Sequence, residues 1–82
     1  MKLPRDLSGE ALAKLLARHG YVVVRQTGSH LRLVLRSGDR EFRVTVPRHA
    51  TLKPGTLNAI LGAVARHLGV DRNRLLSHLF RD

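Results

Sequence analysis

The chain contains no cysteine. Disulfides, thiolate metal sites and a cysteine nucleophile are therefore excluded. No apolar run is long enough to cross a membrane. Met1-Lys2-Leu3-Pro4-Arg5-Asp6 lacks the apolar core of a signal peptide, so the expected location is the cytoplasm. There is no internal repeat, no low-complexity segment and no interdomain linker. Residues 1–82 read as one domain, with 70–82 as a C-terminal extension. A domain of this length buries about 60–65% of the surface its unfolded chain exposes, which leaves little room for an enclosed cofactor pocket. No cofactor is expected, and chemistry is expected on an open surface or in a shallow groove.

Acidic residues are also scarce: six Asp and Glu stand against fifteen Lys and Arg, for a formal charge of +9. So strong an imbalance in a short chain favours a polyanionic or acidic partner. Twelve of the fifteen are arginines, whose planar fork suits bidentate phosphate contacts. A GC-rich genome or a heat-adapted host would also enrich arginine, so charge alone does not name the partner.

The periodicity reads as α-β-β-β-α followed by a short helix. Ser8 is a good N-cap for a first helix, with Glu10 in the first turn and Leu12, Leu15 and Leu16 at helical spacing; Gly20 closes it. Tyr21-Val22-Val23-Val24 begins a strand running to about Thr27, and Gly28-Ser29 reads as a two-residue turn. The next strand alternates, with Leu31, Leu33 and Leu35 on one face and His30, Arg32, Val34 and Arg36 on the other. After the turn Ser37-Gly38-Asp39-Arg40, a third strand places Phe42, Val44 and Val46 against Glu41, Arg43 and Thr45, and Pro47 ends it. A second helix starts near Pro54 to Thr56; Leu57, Ile60, Leu61, Val64 and Leu68 form its apolar stripe, and Gly69 ends it. Asp71 caps the last helix, which carries Leu75, Leu76 and Leu79. The expected fold is α+β: a three-stranded antiparallel sheet with the helices on one face and a solvated face opposite. That open face would gather His30, Arg32, Arg36 and Arg43 into an RNA surface.

Five histidines are present. His19 and His67 read as residues of last helical turns, where the C-terminal dipole favours them and a structural role suffices. His78 reads similarly, in a basic helix. His30 and His49 sit at strand–loop junctions beside Arg32 and Arg48. An imidazole there can take or give a proton at physiological pH. A metal site needs convergent ligands, and none lies at metal spacing from either histidine, since Asp39 and Glu41 sit near the far turn. A Ser-His-Asp arrangement is not suggested, because Ser29 and His30 are adjacent and adjacent strand residues point to opposite faces. RNA cleavage asks for less. The RNA brings its own nucleophile, the 2′-hydroxyl, and the protein needs only a general base or acid with cations around the phosphate. A non-catalytic RNA-binding domain fits the same pattern. A DNA-binding regulator fits less well, as no helix-turn-helix spacing is present.

The run Arg25-Gln26-Thr27-Gly28-Ser29-His30, then Val46-Pro47-x-His49, then Leu52-x-Pro54-Gly55-Thr56-Leu57-x-x-Ile60-Leu61, resembles the HicA (YcfA-like) toxins of type II toxin–antitoxin systems. The likeness spans about Leu7 to Gly69. It implies a fold like the double-stranded RNA-binding domain. It also implies an mRNA interferase, a ribonuclease that acts on messenger RNA until a HicB-like antitoxin binds it. The resemblance makes His30 the catalytic residue and Gly28-Ser29-His30 its motif, with His49 in support. Arg32, Arg36, Arg43 and Ser29, with Arg25 beside them, would then hold RNA. Catalysis by His30 requires it to lie on the open face, away from Leu31 and Leu33. The extension beyond Val70, with Arg72, Arg74 and Arg81, could complete the core, bind the antitoxin or form a dimer contact.

Overall fold

The computed structural model describes residues 4–80; Met1, Lys2, Leu3, Arg81 and Asp82 lie outside the described residues. The elements run α1 (Gly9–Ala17), β1 (Val22–Gln26), β2 (His30–Ser37), β3 (Arg40–Pro47), α2 (Pro54–Leu68) and α3 (Arg72–Phe80). The strands form one antiparallel sheet in the order β1-β2-β3. This is the α+β layout that the periodicity predicts.

Local chemistry sets the helix ends. The Ser8 hydroxyl accepts from the Ala11 N–H at 3.0 Å and starts α1. Gly20 turns the chain into β1 with φ +99°, a value that costs a glycine little. Gly69 ends α2 in the left-handed conformation. The Asp71 carboxylate accepts from the Arg74 N–H at 2.8 Å and caps α3.

All three helices feed one core. Leu12 and Leu16 of α1, Leu57, Ile60, Leu61 and Val64 of α2, and Leu75, Leu76 and Leu79 of α3 pack with Leu31, Leu33, Leu35, Val44 and Val46 of the sheet. The cross-strand pairs Leu31–Val46, Leu33–Val44 and Leu35–Phe42 form the covered face. The C-terminal extension therefore completes the core. Burying each of its three leucines contributes roughly 1.5–3 kcal/mol.

His67 departs from the dipole account. It lies in the last turn of α2, but its ring stacks on Phe42 at 4.7 Å, and its Nδ1 is 2.7 Å from the Tyr21 hydroxyl. Tyr21 is buried, which pushes its hydroxyl up to about 12. Burial, with Arg66 beside it, holds the His67 imidazole below the usual histidine range. The helix dipole would favour the charged ring, whereas packing favours the neutral one. The unfolded chain thus binds a proton here before the folded chain does. Stability is complete above the ordinary histidine pKa of about 6.5 and is lost as pH falls through that value toward the depressed one. Thermal melts from about pH 7.5 to 5.5 should show this loss, and His67→Gln should flatten it. Parallel pH profiles for the two proteins would refute the account.

His19 and His78 also meet. His19 lies in the turn after α1 rather than in its last turn, and its ring stacks on that of His78 with centroids 6.2 Å apart. The contact joins the end of α3 to the end of α1.

Candidate functional site

The open face of the sheet is set by register. Opposite residues share a face, so His30–Pro47, Arg32–Thr45, Val34–Arg43 and Arg36–Glu41 line it. Val22 pairs with Val34 and Val23 with Leu33, but the next pair is Arg25 with Arg32. Val24 is the extra residue of a β-bulge. Strict alternation from Val22 would send Arg25 toward the helices. The bulge resets the parity and brings Arg25 beside Arg32 on the open face.

His30 is exposed on this face, while Leu31 and Leu33 are buried under the helices. Arg25, Thr27, His30, Arg32 and Thr45 line a shallow depression of about 430 Å³. A second depression of about 250 Å³ shares Arg25 and Arg32 with the first and continues to Val34, Arg36 and Arg43. Val34 lies on this face as its place in the alternation predicts, but it is buried where that face is expected to be solvated. It is only 3% exposed, yet it stands apart from the core beneath the helices. It forms an apolar floor between arginine walls.

The connection from β1 to β2 is tight and polar. The Thr27 N–H donates to the His30 carbonyl at 2.9 Å. The reciprocal donor, His30 N–H, goes to the Thr27 hydroxyl at 3.0 Å. Gly28 keeps a negative φ, unlike Gly20, Gly38 and Gly69, so the loop is not one of the glycine-led turns common in hairpins. A Cβ on Gly28 would meet nothing within 4 Å.

Ser29 and His30 overturn the opposite-faces expectation. Ser29 Oγ lies 2.9 Å from His30 Nδ1. Alternation applies inside a strand, and Ser29 precedes the first residue of β2. The contact ties down Nδ1 and leaves Nε2 as the ring atom available for proton transfer. If the hydroxyl donates, Nε2 carries the proton; if Nδ1–H donates, Nε2 is a base.

The arginines divide into two groups. Among the described residues, Arg25 and Arg32 have no carboxylate partner. Arg36 and Arg43 share Glu41, at 3.3 Å and 2.8 Å respectively. These two guanidiniums, Arg43 first, hold the Glu41 carboxyl below its usual range. The pair therefore presents less free charge than its sequence suggests. His49 is exposed and does not line either depression; its carbonyl accepts from the Gly9 N–H at 3.0 Å. Among the described residues no three His, Asp or Glu side chains group at metal-ligating distance.

Arg48 was visible in the sequence only as a neighbour of His49. Its Nη1 donates to the Thr27 carbonyl at 2.8 Å, and its Nε and Nη2 donate to Glu10 at 3.1 Å and 2.6 Å. No local pattern announces these contacts, because Glu10 is 38 positions away.

A search of curated proteins and a search of solved structures find no match. A family model described as the HicA toxin of bacterial toxin–antitoxin systems matches residues 9–70. That match spans α1, the whole sheet and α2, and with them the His30 depression. With most of its length and its entire candidate site inside the match, the chain belongs to the HicA toxin family.

Proposed function

We propose that this toxin is a ribonuclease that cleaves messenger RNA in the cytoplasm through His30, and that a HicB-like antitoxin silences it. The observation that carries the reading is the anchored imidazole: Ser29 holds His30 Nδ1 at 2.9 Å, in the depression that Arg25 and Arg32 also line. His30 takes the proton from the 2′-hydroxyl as O2′ bonds to phosphorus. The P–O5′ bond breaks, and the imidazolium returns the proton to O5′. The products are a 2′,3′-cyclic phosphate and a 5′-hydroxyl. Arg25 and Arg32 offset the charge that develops on the phosphoryl oxygens. Arg36 and Arg43 contact neighbouring phosphates in competition with Glu41. Ser29 serves as the anchor of the imidazole, and the exposed His49 supports the RNA outside the depressions. Most affinity comes from phosphate contacts and falls with salt. An antitoxin that fills the His30 depression with acidic side chains would block the reaction directly.

Single-stranded RNA incubated with the purified protein in EDTA tests the reading. Cleavage is expected to persist in chelator, to leave cyclic phosphate ends, and to stop at any nucleotide whose 2′-hydroxyl is replaced by hydrogen. Cleavage that continues at 2′-deoxy positions would rule out this chemistry. Loss of activity in EDTA would rule out the metal-free route. Tight binding without any cleavage would favour a non-catalytic RNA-binding domain of the same fold.

A further inference from the structure

We infer that Arg48, held by Glu10, is the positioning residue that fixes the Thr27–His30 loop for proton transfer. The inference rests on the ribonuclease reading for its kinetic consequence, though not for its structural one. A hairpin end normally exchanges two backbone bonds between the residues that face each other. Here only one forms. The His30 N–H goes to the Thr27 hydroxyl, which also accepts from the Ser29 N–H at 3.3 Å. The Thr27 carbonyl is thereby left without its usual partner, and Arg48 Nη1 supplies one at 2.8 Å. The backbone N–H of the same residue donates to the Ser29 carbonyl, also at 2.8 Å. One residue thus holds both carbonyls that flank Gly28.

Arg48 can do this because Glu10 fixes it from the other side. Its Nε and Nη2 both donate to Glu10 Oε1, at 3.1 Å and 2.6 Å. The Arg48 side chain is 27% exposed and that of Glu10 57%. The hydrogen bond and charge of Arg48 hold the Glu10 carboxyl below its usual range, so the pair persists into mild acid. The chain of contacts runs from the first turn of α1 through Arg48 to the Thr27–Ser29 backbone, and from Ser29 Oγ to the imidazole. Arg25 and Arg32 differ: among the described residues they have no carboxylate partner, and they line the depression, as expected of phosphate contacts. Arg48 is already paired with Glu10, and each of its three side-chain nitrogens donates to a protein oxygen.

Glu10→Gln separates positioning from RNA binding. It removes a negative charge from a basic protein, so a phosphate-contact role for Arg48 predicts equal or faster cleavage and tighter RNA binding. Positioning predicts the reverse for kcat. We expect kcat on a short RNA to fall about 3–10-fold in Glu10→Gln and on the order of 10²-fold in Arg48→Ala, with KM unchanged or lower in Glu10→Gln. Arg48→Lys keeps the charge but cannot reach two carboxylate contacts and a carbonyl from one planar fork, so it should behave like Arg48→Ala. In the RNA-free protein, ¹⁵N order parameters of Gly28, Ser29 and His30 should drop from about 0.85 to below about 0.6 in Arg48→Ala. Unchanged order in Arg48→Ala, full activity in Arg48→Lys, or a rise in kcat in Glu10→Gln would each overturn the inference. If the wild-type protein cleaves no RNA, the ribonuclease reading fails, while the order parameters still decide whether Arg48 holds the loop.

Discussion

His30→Ala is expected to lower RNA cleavage by about 10²–10⁴-fold, the range a positioned general base or acid contributes. RNA affinity should stay close to that of the wild type. Phosphate contacts dominate affinity, and Arg25 and Arg32 remain in place beside the vacated position. Stability should also stay close. The imidazole is exposed, and its one side-chain bond within the described residues is to a serine hydroxyl that water can satisfy. Single-turnover cleavage, filter binding and a thermal melt, run on the same preparation, read the three quantities separately. A large fall in cleavage with the other two held fixed supports proton transfer by His30. Cleavage at wild-type rate would remove His30 from the chemistry. A parallel loss of affinity would make the histidine a binding residue.

Much of this site could be read in the sequence because alternation is a local signal. Leu31, Leu33 and Leu35 assign one face of β2, and His30, Arg32 and Arg36 then fall on the other. The apolar stripe of α2 says which face the helices cover. The departures have non-local causes, apart from the Ser29–His30 contact at the start of β2. Arg25 reaches the open face only through the bulge at Val24, and no residue type in Val22-Val23-Val24 marks where the extra residue falls. Val34 is buried by partners on two other strands, so its own position in the alternation does not reveal it. Ser29 meets His30 because β2 begins one residue later than Ser29. Shifting that boundary by one residue reverses which side chains meet. Arg36 and Arg43 look like free cations until the register places Glu41 between them. Arg48 and Glu10 meet only in the folded chain.

Gly9→Ala should produce the largest loss of stability, and the reason lies in the same corner of the fold. Gly9 is the first residue of α1 and is buried. A Cβ added there would lie 1.8 Å from the Pro47 carbonyl oxygen, 2.9 Å from its carbonyl carbon and 3.3 Å from the Arg48 Cα. All three are backbone atoms, so no side-chain rotation relieves the clash. The start of α1 must move off the end of β3 and strain the bond from the Gly9 N–H to the His49 carbonyl. Alanine's better helix propensity returns at most about 1 kcal/mol. Overpacking against a fixed wall costs about 1–3 kcal/mol and occasionally more. The clash therefore wins. A contact this short puts the cost at the upper end of that range and leaves a net loss of about 2 kcal/mol. In a domain of this size each kcal/mol shifts the melting temperature by about 4–8 °C, so a fall of about 8–16 °C is expected. Gly62→Ala is the matched control. Its added Cβ would approach only the Arg66 guanidinium, at 3.7 Å, so there the propensity term decides and the melting temperature should hold or rise. Glu10 follows Gly9 directly, so displacing the helix start also draws the carboxylate away from Arg48. The folded fraction of Gly9→Ala should then cleave RNA more slowly than the wild type at the same temperature. A wild-type melting temperature for Gly9→Ala would show that α1 does not rest on the Pro47–Arg48 backbone, and the support of the His30 loop would have to be sought elsewhere.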